Sequence, residues 1–436
     1  MTRAALVLAV LAIASSRARA DDPTDTMPEH PTPAPAGAVP APAPDSSEDD
    51  AAALVLDASR DDDKLNIYGY ADASWRVLAM KRSALSANYF PKENTFLVGN
   101  LNLYLTKNLA HRWRTLIEVR FLYAPAASAN ADGTLTHTTA PDPADLQRPI
   151  SWGAVSIERA YLEYDVNEHL TIQAGSFLTP YGIWNVDHGS PAIIPVNRPY
   201  IIGESLFPQQ QTGIHAYGKH PVGEYQLGYH LTLSNGRGPF QGFRDLDENK
   251  AIGARVELET AWLGGVHLGL STYRGRFTDR PADQIGSDAD GNLINITPVG
   301  TAYDEASYGA DALVHHGAWH MQAEIIANDR RYRDGARELT RGGFLADGRY
   351  LGAYALAGYR FDRLWQVMPF ATLEVNRPRA SADLGDDTTI YQAAAGFNFR
   401  PVPSVALKIN YLQATIRSPA LDATLRAVST QAAWAF

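Results

Sequence analysis

Arg120, Arg159, Arg255 and Glu257, with Glu118, Glu163, Glu324, Arg400 and Arg426, stand in segments where apolar and polar residues alternate. At a period of two, residues of one parity share a face. Charges on such a face are costly against lipid, so they must meet a wet interior or a rim. Two roles follow for them: lining a path for solutes, or bracing a wall through salt bridges. Covalent chemistry finds less support. The chain has no nucleophile elbow, no zinc-type histidine pair and no phosphate-binding glycine loop. His315 and His316 adjoin a tight-turn signal and read as solvated. Asp288, Asp290 and Asn292 around Gly291 hint at calcium, but their spacing fails the EF-hand rule and reads as an acidic external loop. No catalytic residue, cofactor or metal is expected.

One connection differs from the rest. Residues 179–209 carry Tyr181, Ile183, Trp184, Ile193, Ile194, Val196, Tyr200, Ile201, Ile202, Leu206 and Phe207, together with five prolines. Water would not favour so much apolar surface on a free loop. Folded back against a barrel wall, the loop would narrow the lumen. Asp187, His188, Arg198 and Glu204 would then line the constriction with Arg120, Arg159, Arg255 and Glu257; packing on external loops or a neighbouring subunit is the other reading.

The elements that must position these residues are strands. Sixteen segments show period-two patterning, near 64–79, 94–108, 112–124, 152–166, 169–178, 210–219, 224–235, 249–260, 263–275, 303–315, 318–329, 349–361, 364–376, 387–400, 403–417 and 424–436. In one of them Tyr225, Leu227, Tyr229, Leu231 and Leu233 oppose Gln226, Gly228, His230, Thr232 and Ser234. The segment around Ala353, Ala355 and Ala357 lacks a clear polar face. Tight turns near 110, 167, 221, 263, 317, 362 and 402 alternate with long connections, only the last of which (418–423) is short. Short periplasmic turns and long external loops produce this rhythm. Trp113, Trp262, Trp319, Trp365 and Trp434 lie beside short turns or the terminus, and Trp75 and Trp152 at opposite strand ends, as two interfacial girdles require. The fold class predicted is all-β, a transmembrane antiparallel barrel of about sixteen strands.

Residues 1–20 read as a secretory signal: Arg3, an apolar run from Ala4 to Ala14, then Ala18-Arg19-Ala20. No stretch is long enough for a helical membrane span. The chain has no cysteine and a formal charge of −10. Residues 21–63 hold twelve acids against one base, net −11, in a Pro- and Ala-rich stretch that cannot build a core and is expected to be a disordered periplasmic tail. Residues 64–436, the expected barrel, hold 36 acids against 34 bases. No basic stripe exists to neutralise nucleic acid. The chain ends in strict alternation, with Val428, Thr430, Ala432, Trp434 and Phe436 on one face. This resembles the terminal signal by which the barrel assembly machinery recognises outer-membrane barrels, so Trp434 and Phe436 are its expected carriers.

The run Arg159-Ala160-Tyr161-Leu162-Glu163-Tyr164, followed by Gln173-Ala174-Gly175-Ser176-Phe177-Leu178-Thr179-Pro180-Tyr181-Gly182, resembles the strand–turn–strand entry to the constriction loop of phosphate-selective-type porins. The motif spans about thirty residues; the wider likeness is one of organisation. It implies a sixteen-stranded homotrimer in the outer membrane of a Gram-negative bacterium. It implies also a passive channel, general or anion-preferring, with outer-membrane lipid and small solutes or ions as partners. The loop here offers one arginine, Arg198, against Asp187 and Glu204, whereas phosphate selectivity in that family rests on dense Arg and Lys. Across the chain 31 Arg stand against 7 Lys, which favours forked anion contacts but also fits a coding bias. Rival readings are a closed-lumen structural or adhesion platform and, third, a barrel enzyme.

Overall fold

The computed structural model describes residues 64–436, apart from 79–93, 123–126, 130–134, 138–153, 186–188, 204–205, 238–246, 280–283, 288–292, 297–300, 334–338, 341–342, 345–346, 362–365, 380–387 and 420–421. The expected leader and tail at 1–63, the expected acidic loop at 288–292, Trp152 and Trp365 therefore lie outside the described residues.

Sixteen antiparallel strands form a closed barrel. They are β1 (Asn66–Leu78), β2 (Asn94–Ala110), β3 (Trp113–Leu122), β4 (Ala154–Asn167), β5 (Leu170–Leu178), β6 (Gln210–Val222), β7 (Tyr225–Ser234) and β8 (Ala251–Thr260). The second half comprises β9 (Val266–Asp279), β10 (Thr301–His316), β11 (Trp319–Tyr332), β12 (Gly348–Tyr359), β13 (Met368–Arg377), β14 (Thr389–Val402), β15 (Val405–Arg417) and β16 (Asp422–Ala435). All sixteen expected segments are strands. Three small hairpins sit within long connections and were not expected: Ala127–Ala129 with Leu135–His137, Gln284–Ser287 with Leu293–Ile296, and Leu339–Thr340 with Gly343–Phe344. Each is only two to four residues per strand, too short for alternation to register in the sequence.

The alternation sorts side chains as lipid outside and water inside demand. Leu231, Leu233, Ile252, Val256, Leu268 and Leu270 are exposed on the outer face, whereas Thr232, Ser234, Arg255 and Ser271 are buried on the inner one. The Ala-rich β12 follows the same rule, with Tyr350, Tyr354 and Leu356 buried inward and Leu351 exposed outward. Two-residue turns close one end of the barrel at 111–112, 168–169, 223–224, 317–318 and 403–404. Gly223 and Gly317 take φ of 63° and 57° there, a conformation a β-branched residue would resist. At this same end Trp113 packs on Tyr164 and Trp319 on Tyr359, with Trp262 and Trp434 exposed. Toward the opposite end Trp75 lies beside Phe96. Among the described residues no helix is long and apolar enough to cross a membrane; strands do the crossing.

Candidate functional site

The connection from β5 to β6 is pinched at its base, where the Thr179 amide donates to the Gln209 carbonyl at 3.0 Å. The Thr179 hydroxyl also donates to the Pro208 carbonyl, and the Asn185 amide to the Thr179 carbonyl at 2.6 Å. Between these ends the chain turns inward. Tyr181, Trp184, Ile193, Ile201, Ile202, Leu206 and Phe207 bury themselves against Tyr273, Ile326, Tyr350, Tyr354 and Leu356 of the inner wall. Burial of each large side chain contributes about 1.5–3 kcal/mol relative to exposure, which explains why so apolar a loop leaves the surface. A single helical turn, α1 (Tyr200–Gly203), lies within it, with Ile201 and Ile202 buried.

Polar groups of the wall take up the backbone groups that this irregular segment leaves unpaired. Glu324 of β11 accepts from the Trp184 amide at 3.2 Å and from the Tyr354 hydroxyl at 2.6 Å. Glu374 of β13 accepts from the Tyr200 amide at 2.6 Å. Lys408 of β15 donates to the Ser190 carbonyl at 2.5 Å, and Arg400 of β14 donates to Pro191 at 2.5 Å. Asn398 donates to Ile194, and Asn410 accepts from the Val196 amide. Ser307 and Asn328, on β10 and β11, both donate to the Leu206 carbonyl. Tyr181 bonds Thr232 of β7 at 2.6 Å, and burial pushes its phenol up to about 12, so the hydroxyl stays neutral. On β1, Arg76 donates to the Asn197 side chain at 2.9 Å.

The expected lining residues separate into three groups. Arg198 lies near charges of β1, β3 and β4. Burial lowers its pKa and Arg120 adds to that, while Tyr70, Glu158 and Asp72 oppose it. Arg120 itself pairs with Glu158 at 3.4 Å and remains about one-third exposed. Arg159, Arg255 and Glu257 are locked into the wall. Arg159 donates to Glu118 at 2.6 Å, and Glu118, which is fully buried, also accepts from Asn102. Arg255 donates twice to Asp311, at 2.6 and 2.9 Å, and further to Ser271 and Glu257. Glu257 in turn faces His230, which bonds His215 at 3.1 Å. Asp187, His188 and Glu204 lie outside the described residues. Trp434 is exposed on β16, and Phe436 bonds back to Gly69.

Sequence reasoning named Glu324 and Arg400 as inward charges but not as anchors of the loop, and it did not single out Glu374, Asn398, Lys408, Asn410 or Arg76. Lys408 carried a signal: one of seven lysines, it shares its parity with Ala406 and Asn410 on the inner face. His315 bonds His320 at 2.8 Å, and among the described residues no group of His, Cys, Asp and Glu is placed to hold a metal ion.

Comparison with solved structures gives barrels of the same fold. An anion-selective porin from Comamonas acidovorans aligns with a TM-score of 0.51 at 12% identity, covering 86% of this chain and 99% of that one. OmpT expressed in the outer membrane of Vibrio cholerae aligns with a TM-score of 0.51 at 10% identity, over 87% and 99% of the two chains. At such identity the likeness shows the fold alone. No curated protein sequence matches the chain. Residues 98–435 match the family of phosphate-selective porins O and P, from within β2 through β16 and including the inward loop. The chain belongs to that family and is a passive channel of the outer membrane.

Proposed function

We propose that small hydrophilic solutes cross through a passage bounded by the 179–209 loop on one side and the β2–β6 wall on the other, with weak charge selectivity. The supporting observation is the placing of the loop's anchors. They lie on β7, on β10, β11 and β13 to β15, and on β1, while Arg198 meets Arg120 and Glu158 of β3 and β4. Among the described residues Arg76, Arg120 and Arg198 stand there against Asp72 and Glu158; Asp187 and Glu204 of the loop offset them, so the charges of the passage nearly balance and selectivity is weak. Selection then works by width and weak electrostatic contact, with no chemical step.

The unit is a homotrimer in this reading, as in the trimer form of OmpT from Vibrio cholerae. Residues 1–20 direct export, 21–63 form a periplasmic tail, and Trp434 and Phe436 present the terminal signal to the assembly machinery. Asp187, His188 and Glu204 join Arg198 at the constriction. Planar-bilayer recording tests the central claim: deleting 183–203 should raise single-channel conductance. Unchanged conductance would place the constriction elsewhere.

A further inference from the structure

Glu163 of β4 and Glu257 of β8 stand at the two ends of one chain of inward side chains. Gln173 of β5 donates from its Nε2 to the Glu163 Oε1 at 3.4 Å, so its own oxygen faces His215 of β6. The His215 Nδ1 lies 2.9 Å from that oxygen. The His215 Nε2 lies 3.1 Å from the His230 Nδ1 on β7, and the His230 Nε2 lies 3.5 Å from the Glu257 Oε1. Ring contacts hold the imidazoles: they stack on each other at 5.3 Å and 18°, and Tyr217 stacks on both while its hydroxyl donates to Glu163 at 2.6 Å.

The direction of each bond follows by elimination. A carboxylate and an amide oxygen only accept, and a neutral imidazole offers one donor and one acceptor. The Gln173 oxygen therefore takes its hydrogen from the His215 Nδ1, which leaves the Nε2 of a neutral His215 as an acceptor. His230 must donate to it from Nδ1, and must donate again from Nε2 to reach Glu257. Four contacts need four hydrogens, whereas one amide and two neutral imidazoles supply three. A proton on His215 would meet the same count, but that ring is buried against Phe177 and Tyr217. His230 touches a carboxylate and keeps 19% of its side chain exposed, so charge costs less there.

We propose that His230 is held as an imidazolium between His215 and Glu257 and is a specificity-determining charge of the channel. Arg255 meets Glu257 at 3.1 Å but gives both Nη groups to Asp311, so His230 is the second cation at Glu257. The next charges along β6 and β8, Lys219 and Glu259, pair with each other at 3.6 Å, and His267 of β9 joins Glu259 at 3.3 Å. Imidazole is the side chain whose charge changes near neutral pH. Where the other charges of a passage nearly balance, one such unit tips its ion preference. The effect on ions rests on the channel reading above, in which solutes pass this wall; the protonation of His230 does not.

Two measurements on the full-length barrel test this. NMR of protein labelled at its histidine ring nitrogens should show, at neutral pH, an imidazole protonated on both nitrogens that is missing from His230→Gln. Reversal potentials in a potassium chloride gradient, taken from about pH 5 to about pH 9, read the charge in the channel. On the acid side the cation-to-anion permeability ratio of His230→Gln should exceed the native one by about twofold in dilute salt. The difference should close on the alkaline side, as the native ring loses its proton. His230→Lys, which keeps the charge, should hold the native acid ratio throughout. Absence of the doubly protonated ring overturns the proposal. So do native and His230→Gln ratios that coincide at acid pH, since the ions then do not pass His230. If deleting 183–203 leaves conductance unchanged while the His230 difference persists, the loop reading fails and this one stands.

Discussion

Gly69 and Phe436 exchange two backbone hydrogen bonds, at 2.8 and 2.9 Å, so the last residue of the chain is paired with the first strand. β1 and β16 continue that pairing from Tyr70 with Ala435 to Leu78 with Ala427. Deleting Phe436 removes both terminal bonds and the terminal ring together. The amount of heat-modifiable protein in outer-membrane fractions should fall severalfold; normal levels would show that closure and recognition do without it.

Glu324 is the second critical contact. Glu324→Ala leaves the Trp184 amide and the Tyr354 hydroxyl without their acceptor inside the barrel. A cost of about 1–3 kcal/mol is expected, together with noisier single-channel currents as the loop loosens. Gly182 constrains the same spot, since its φ is 76° and an added Cβ would overlap the Glu324 carboxylate. Gly182→Ala should therefore reproduce the noise, and quiet currents in both variants would show that the apolar cluster alone holds the loop.

Arg255 neutralises two carboxylates. Arg255→Met should destabilise by about 3–5 kcal/mol, because Asp311 is left buried and unpaired. Adding Asp311→Leu should recover much of this, with Glu257 still facing His230. Denaturant unfolding in detergent measures both, and a single variant as stable as the parent would mean that water already reaches Asp311.

Arg198→Glu should move the reversal potential toward cations, more at low than at high salt. Arg349, paired with Asp329 and 65% exposed, is the control. If Arg349→Glu has an equal effect, the passage does not run beside Arg198.

A chain that begins at Lys64 behind its leader should still assemble and conduct. The expected tail at 21–63 offers few large apolar side chains, chiefly Leu54, Val55 and Leu56, and carries a net charge of −11. Loss of assembly would assign the tail a structural part.

The barrel was legible because membrane strands must alternate and because tight turns and long loops segregate by side. The inward course of 179–209 was legible from Trp184, Ile201 and Phe207, which have no reason to face water. What holds that loop was not. Glu374 and Lys408 look like any other inward polar residue of an alternating strand, and the backbone groups they meet lie 174 and 218 residues away. Pairings such as Arg255 with Asp311 were hidden for the same reason: alternation fixes the face of a residue but not the neighbour it meets across strands. Of the residues expected to line the passage, Arg159, Arg255 and Glu257 are locked into wall networks, and Arg120 and Arg198 lie within electrostatic reach of each other.

Nearly all the loop's anchors come after it in the chain. Thr232, Ser307, Glu324, Glu374, Asn398, Lys408 and Asn410 follow residues 179–209, whereas Arg76 precedes them, among the described hydrogen bonds. During export the loop thus reaches the periplasm before the groups that seat it exist as strands. Its docking is therefore expected late in folding, after contacts of long sequence separation have formed. Changes at these anchors should speed unfolding far more than they slow assembly, since late contacts are mostly absent from the folding transition state.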